Sequence, residues 1–409
     1  MKALVLAGGF PQIALIKELK SRNIETVLAD YYEAPVAKKY ADKFFQISTL
    51  DVDAIRQLAV DEKVDFLITA CTDQALLTVA RVSEDLGLPC YIDYQTALNV
   101  TNKQYMKKVF DAYGVPTAKH VVLGKYDGNA LSGMEYPLIV KPVDCNSSKG
   151  VKKVLNEEQL ISAFNDAVEY SRTNTAIIEE YVSGNEITVD VQVHDGKAYV
   201  LSMAYSDKTS DKDKFVIYRT RYPVSESPEI LKQISDAAQK IATAFKLENS
   251  LMLIQLISDG KRISILEFSA RTGGGVKYQL IKKVSGFDVI KAAVDLTMNK
   301  KTELNITAPE SKFICNLFIY CNEGIFDKLD GFEELKEQGV ISDYFLFKWR
   351  YAELGGAHNS GDRIAGLTVQ ADTFDEIRAK YDTAVKNIKV LDINGKDIMR
   401  HDLIEPLAY

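Results

Sequence analysis

Residues 251–275, LMLIQLISDGKRISILEFSARTGGG, decide how this chain is read. Two apolar runs flank Asp259-Gly260, the pattern of a β-hairpin. Along the second run Glu267, Ser269 and Arg271 fall at alternate positions, and Gly273, Gly274 and Gly275 follow. Side chains alternate across a strand, so these three polar groups are expected on one face. A carboxylate, a hydroxyl and a guanidinium could simply form a solvated strand edge. Placed together, they also suit a metal ion and a phosphate chain.

The 409 residues predict two or three domains with ample core. A hydrophobic content of 46% and a charged content of 26% suit an ordinary soluble protein. The net charge is −7 and Lys and Arg form no block, which argues against a nucleic-acid role. MKALVLAGG reads as a short buried strand, too brief for a signal peptide, and no run approaches the roughly 18 apolar residues of a membrane span. The five cysteines show no C-x-x-C spacing and the four histidines are scattered. Reduced thiols in a cytoplasm are expected, without a zinc or His-based site.

The first hundred residues alternate strand and helix: ALVLAGG, a helix over 13–21, ETVLAD, a helix over 52–61, DFLITA, a helix over 74–86, and PCYI. That rhythm predicts a small doubly wound parallel sheet. Gly8-Gly9 and Asp30 sit where a dinucleotide site has its turn and its ribose acid, but GGFPQI lacks G-x-G-x-x-G. From Asn102 the texture changes, with a helix over 103–113, a strand in YPLIVKP, a helix over 157–172, then strands over 186–193 and 197–205. Residues 206–228 read as a polar loop or lid containing one strand. After a helix over 230–245 come the hairpin and a helix over 277–284. Strands FICNLFIY and AGLTVQA with a helix over 374–388 suggest a small α+β cap.

No G-x-x-x-x-G-K-[ST] occurs, so a P-loop is excluded. Three other stretches suit a nucleotide. Lys141 closes a buried strand and needs an anionic partner or a route to water. Ser147-Ser148-Lys149-Gly150 could wrap phosphate oxygens with backbone N–H groups and hydroxyls. Ile177 to Val182 leads to a hinge, with an acid at Glu186 that suits a ribose diol. Singly, each is an ordinary strand end, turn or acidic edge; their order and spacing carry the weight.

Taken together, these stretches resemble the ATP-grasp superfamily over the whole chain, in its carboxylate–amine ligase and carbamoyl-phosphate-synthetase-like branch. The resemblance implies a multidomain α/β and α+β protein: a Rossmann-like domain over 1–100, a two-lobed ATP-grasp domain over 101–305 with its hinge near 180–183, and an α+β cap over 306–409. It implies that Lys103 and Lys141 reach the α/β-phosphates and that Ser147, Ser148, Lys149 and Gly150 close over the γ-phosphate. The backbone of Glu180 and Val182 would read the adenine edge, Glu179 would lie near its amino group, and Glu186 would take the ribose hydroxyls. Gln255, Glu267 and Ser269 would hold two Mg²⁺ or Mn²⁺ ions, and Arg271, with Lys141, would neutralise the transferring phosphate. The first metal position is commonly acidic but is Gln255 here, as in the synthetase-like branch. Ser269 replaces the usual asparagine of E-x-N-x-R, so that either a water fills the gap, the second metal is held more loosely, or the catalyst is degraded.

The implied activity is ATP-dependent activation of a carboxylate, captured by an amine, with an amino acid as the favoured substrate class. The partners are ATP, a small carboxylate and an amine acceptor, with neither nucleic acid nor membrane, and a homodimer is compatible. The cap run GDRIAGLTVQADTFDEIRAKYDTA keeps open a bicarbonate-using carboxylase like those of purine synthesis, and Ser269 keeps open a non-catalytic ATP-binding regulator. Facing Gln255 and Glu267 together also requires that the hairpin have no plain two-residue Asp259-Gly260 turn. An odd-length loop or a bulge near Gly260 is expected.

Overall fold

The computed structural model describes residues 1–145, 149–209 and 216–409. Its first sheet is parallel and is built from β1 (Lys2–Leu6), β2 (Glu25–Asp30), β3 (Lys43–Gln46) and β4 (Phe66–Ile68), in the order β3-β2-β1-β4. Helices α1 (Phe10–Ser21), α2 (Val52–Glu62) and α3 (Asp73–Leu86) make the connections. The near-continuous apolar runs of β1, β2 and β4 are those of strands covered on both faces. Two expectations fail here. The strand that completes the sheet is β3, KFFQ at 43–46, rather than PCYI, where Pro89 removes a ladder donor and the chain turns into α4 (Tyr94–Thr101), capped by Asp93. Helix α1 begins at Phe10 rather than Ile13, because Pro11 fits the first turn.

Asp30 accepts the N–H groups of Gly8 at 2.5 Å and Tyr32 at 2.7 Å. A Cβ on Gly8 would lie 2.6 Å from the Pro35 ring. The acid braces the glycine turn, with a backbone donor on each of its oxygens.

Helix α5 (Lys103–Tyr113) leads to an antiparallel sheet of β5 (His120–Leu123), β6 (Leu138–Pro142), β7 (Lys152–Val154) and β8 (Ala176–Glu180), ordered β5-β8-β6-β7 and backed by α6 (Glu157–Tyr170). An eight-stranded antiparallel sheet follows, ordered β13-β12-β9-β10-β11-β14-β18-β16. Its strands β9 (Asn185–His194), β10 (Lys197–Lys208), β11 (Ile217–Tyr222), β12 (Ser250–Ser258) and β13 (Ile263–Ser269) precede residue 305. The last three, β14 (Phe313–Ile319), β16 (Asp343–Leu346) and β18 (Ala365–Ala371), follow it. A small sheet of β15 (Gly324–Asp330), β17 (Glu353–Leu354) and β19 (Lys389–Asp392) packs beside α10 (Phe332–Glu337) and α11 (Phe374–Asn387). Helices α7 (Pro228–Ala244), α8 (Lys277–Ser285) and α9 (Val289–Thr297) cover the large sheet. Of the polar segment 206–228, β10 takes the start, β11 is the expected strand, and residues 210–215 lie outside the described residues.

The hairpin departs from a plain turn, though not at Gly260. Ser258 pairs with Ile263 across the four residues 259–262, an even count, and Asp259 N–H donates to the Arg262 carbonyl at 3.2 Å. The irregularity comes farther along: Leu256 pairs with Ile265 but Gln255 pairs with Glu267, which leaves Leu266 as a one-residue bulge. On the opposite face of β13, Phe268 is buried against Phe245, ring centroids 4.5 Å apart. That packing anchors the strand from behind and turns Glu267 outward.

Between β8 and β9, Gly184 has φ +146°, and a Cβ there would lie 2.2 Å from the Ser258 carbonyl oxygen. Gly184→Ala is therefore expected to destabilise the protein by at least about 2 kcal/mol, read as a lowered urea midpoint.

Candidate functional site

A cleft of about 130 Å³ lies between the β5–β8 sheet and the large sheet. It is lined by Lys103, Lys141, Lys149, Glu179, Glu180, Val182, Glu186, Gln255 and Glu267, nine of the residues expected from the sequence. Gly150, Ser269 and Arg271 do not line it. Ser147 and Ser148 lie outside the described residues. Gly150, at φ +70°, packs where a Cβ would meet the Pro142 ring at 2.9 Å, so it shapes the turn beside Lys149. Ala118, Ile139, Val151, Ile217, Ile257 and Leu266 supply apolar walls. Leu266, the bulged residue, escaped the sequence reading because strict alternation points it away from Glu267.

At the hinge, Glu180 N–H donates to the Lys119 carbonyl and Tyr181 N–H to the Pro137 carbonyl, each at 3.0 Å. The Val182 N–H has no protein acceptor among the described residues. An unpaired backbone donor beside an apolar slot is what a flat heterocycle needs for edge recognition.

The charged groups of the cleft are paired with one another. Lys103, at the start of α5, lies 3.1 Å from Glu267 and donates to the Cys145 carbonyl at 2.9 Å. Burial works against the Lys103 ammonium, yet Glu267 more than offsets it and raises its pKa. Burial would likewise raise Glu267, but Lys103, Lys141 and Arg271 hold it below its ordinary value. Glu179 is clasped between Lys141 and Lys107, the latter at 2.7 Å. Burial alone would push this carboxyl up, and the two ammoniums bring it down to about 2. Glu186 pairs with Lys208 and accepts from Gln255 Nε2 at 3.4 Å. Lys107 and Lys208 were missed by the sequence reading, although Lys107 stands on the buried stripe of α5 with Met106 and Phe110, an odd place for an ammonium.

On the large sheet, Glu267 and Gln255 are direct cross-strand partners, and Gln255 also faces Thr188. Their side chains therefore share a face, with Ser269 one pleat farther on, buried and paired with Leu253. Glu267 keeps 33% of its side chain open to the cleft. An amide oxygen and a carboxylate side by side form a hard-oxygen set that fits Mg²⁺ or Mn²⁺.

Arg271 departs from expectation. Strand β13 ends at Ser269, so the alternation no longer governs Arg271. Its Nε donates to Asp73 Oδ1 at 2.8 Å, Nη2 donates to Oδ2, and Nη1 to the Thr272 carbonyl at 2.8 Å. Asp73 opens α3, 198 residues away in sequence, and nothing local announces the pair. The glycine run turns into α8, where Lys277 donates to Thr188 Oγ1 and lies 3.9 Å from the buried Asp190. Burial lowers the Lys277 ammonium and raises the Asp190 carboxyl. A Cβ on Gly273 would meet Lys277 Cγ at 2.9 Å, which accounts for the glycine there.

Residues 134–279 match the family model of the ATP-grasp domain. The chain is 27% identical to the arginine-specific carbamoyl phosphate synthase large chain of Bacillus subtilis, over 68% of this chain and 26% of that one. It is 25% identical to a phosphoribosylamine–glycine ligase of Methanobrevibacter smithii, over 99% of this chain and 97% of that one. The crystal structure of an L-amino acid ligase from Bacillus licheniformis shares the fold, with a TM-score of 0.80, 19% identity, and coverage of 96% of this chain and 99% of that chain. The chain spans between 26% and 52% of the length of the carbamoyl-phosphate-synthase relatives. No helix among the described residues is long and apolar enough to cross a membrane.

The depressed Glu179 pKa carries a stability term. Its contribution is fully present above the ordinary value of 4.5 and is lost as pH falls toward about 2. Glu179→Gln should therefore flatten the decline in unfolding free energy between those pH values, measured by denaturant titration at each pH. An unchanged slope contradicts the assignment.

Proposed function

We propose that this chain, whose residues 134–279 match the ATP-grasp domain, is an ATP-dependent carbon–nitrogen ligase that activates a carboxylate as an acyl phosphate. One observation carries the reading: a single cleft joins Lys103 and Lys141, an unpaired hinge N–H at Val182, Glu186, and the Gln255–Glu267 pair brought face to face by the Leu266 bulge. In this reading Val182 N–H and the Glu180 carbonyl hold the adenine edge, Ile139, Ile257 and Leu266 sandwich the base, and Glu186 takes the ribose hydroxyls. Lys103, Lys141 and Lys149 meet the phosphates, with Ser147, Ser148 and Gly150 completing the loop. Gln255 and Glu267 hold a divalent ion, with Ser269 at a second ion. Bound there, such ions neutralise the triphosphate charge. ATP has to exchange with the internal partners of Lys103, Lys141 and Glu186.

The substrate carboxylate attacks the γ-phosphorus, ADP leaves, and an amine then displaces phosphate from the acyl carbon. The protein's part is positioning and charge stabilisation. Arg271 stabilises the transferring phosphate from its seat on Asp73. An amino acid is the favoured substrate class, a class also carried by the names of the glycine ligase and the L-amino acid ligase. The proposed division into a Rossmann-like domain over 1–100, an ATP-grasp domain over 101–305 and a cap over 306–409 sets the nucleotide between the two lobes of the second. The partners are ATP, a small carboxylate and an amine.

Screening ADP release against free amino acids tests the reading. Release that depends on an amino acid supports the ligase, and dependence on bicarbonate supports a carboxylase. ATP binding without phosphate release in any mixture supports a regulator. Glu267→Gln is expected to lower turnover at least about 100-fold while leaving the ATP Kd within several-fold. Retained turnover would sink the metal assignment.

A further inference from the structure

Among the described residues, Lys107 is the one fully buried ammonium behind the cleft that the proposed chemistry does not use. It stands one turn after Lys103 on α5, so the two share a helix face. Lys103 lines the cleft and Lys107 does not. With 1% of its side chain exposed, Lys107 lies 2.7 Å from Glu179 Oε1, donates to Thr117 Oγ1, and approaches the Ile265 carbonyl at 3.4 Å. Thr117 Oγ1 donates to that same carbonyl at 2.8 Å, and Ile265 N–H donates to the Pro116 carbonyl at 2.8 Å. These contacts tie β8 of one sheet to β13 of the other at the back of the cleft. The second oxygen of Glu179 is held by Lys141, which does line the cleft.

We propose that Lys107 is a positioning residue: it remains as the counter-ion of Glu179 when Lys141 leaves for the phosphates. The inference rests on the ATP-binding reading above and goes beyond it by assigning a role to a residue that never touches the nucleotide. The argument is electrostatic. Glu179 is 4% exposed, and a buried carboxylate without a partner is strongly unfavourable. With two ammoniums it can release one and remain paired. With Lys141 alone it would have to be stripped of its only counter-ion each time ATP bound. Lys107, fixed by Thr117 and by the Ile265 carbonyl, cannot follow Lys141 into the cleft. One lysine is therefore the permanent partner and the other the mobile one.

The test compares ATP with adenosine, which lacks the phosphates, on the full chain with Mg²⁺ by calorimetry. Lys107→Met should weaken ATP at least about tenfold and adenosine less than about threefold, because the loss falls on Lys141. Unchanged ATP binding overturns the proposal, as does an equal loss for ATP and adenosine, which marks a purely structural role. The double variant Lys107→Met/Glu179→Gln removes both charges and remains informative if the single variant does not fold. Its preference for ATP over adenosine should match that of Glu179→Gln alone, and a preference about tenfold lower overturns the proposal. Wild-type protein that binds neither ligand overturns the nucleotide reading itself. Wild-type binding with an indifferent Lys107→Met overturns only the role of Lys107.

Discussion

The cleft depends on the parity of a β-strand. Side chains alternate faces, so any register that continues evenly from the 259–262 loop sends Gln255 and Glu267 to opposite sides of the sheet. One extra residue, Leu266, cancels the mismatch. The bulge places an amide beside a carboxylate, delivers Leu266 itself into the apolar wall, and leaves Phe268 to anchor the strand from behind. The apolar wall and the amide–carboxylate pair are thus consequences of the same inserted residue.

Charge is the second constraint. The cleft gathers lysines and acids in a region partly withdrawn from water, where each needs a partner. Lys103 takes Glu267, Lys141 takes Glu179, Lys208 takes Glu186, and Arg271 takes Asp73. The groups suited to holding a polyanion and its cations are also those that neutralise each other without it. A polyanion bound there would exchange one set of ion pairs for another, which would limit its net electrostatic gain and favour discrimination between ligands over raw affinity.

How much of this was legible in the sequence follows from the range of each interaction. Strand, hinge and helix positions around Lys103, Lys141, Glu180, Glu186, Gln255 and Glu267 were readable because local periodicity places them. The N-terminal sheet was readable in kind but not in its edge strand β3, since KFFQ is short and PCYI carries a proline. A parity argument anticipated a departure from a plain turn, and its location at Leu266 was out of reach because packing of Phe268 fixes it. Asp73 was invisible, as its partner is 198 residues away. Lys107 left a signal that was not used: a charged residue on the helical stripe of Met106 and Phe110. For Arg271, alternation was extended two residues past the end of its strand, where it no longer sets which way a side chain faces.

The large sheet has a bearing on the order in which the chain can be completed. Strand β11 ends at Tyr222, and its neighbour β14 begins at Phe313, with Arg219 opposite Leu317 and Tyr222 opposite Ile314. During synthesis, at about 5–20 residues per second, β11 therefore waits several seconds or more with an open edge. The cleft-lining half of the sheet is finished first and its far side last. A nascent chain in that interval presents a bare strand edge, the surface on which chains pair wrongly with one another.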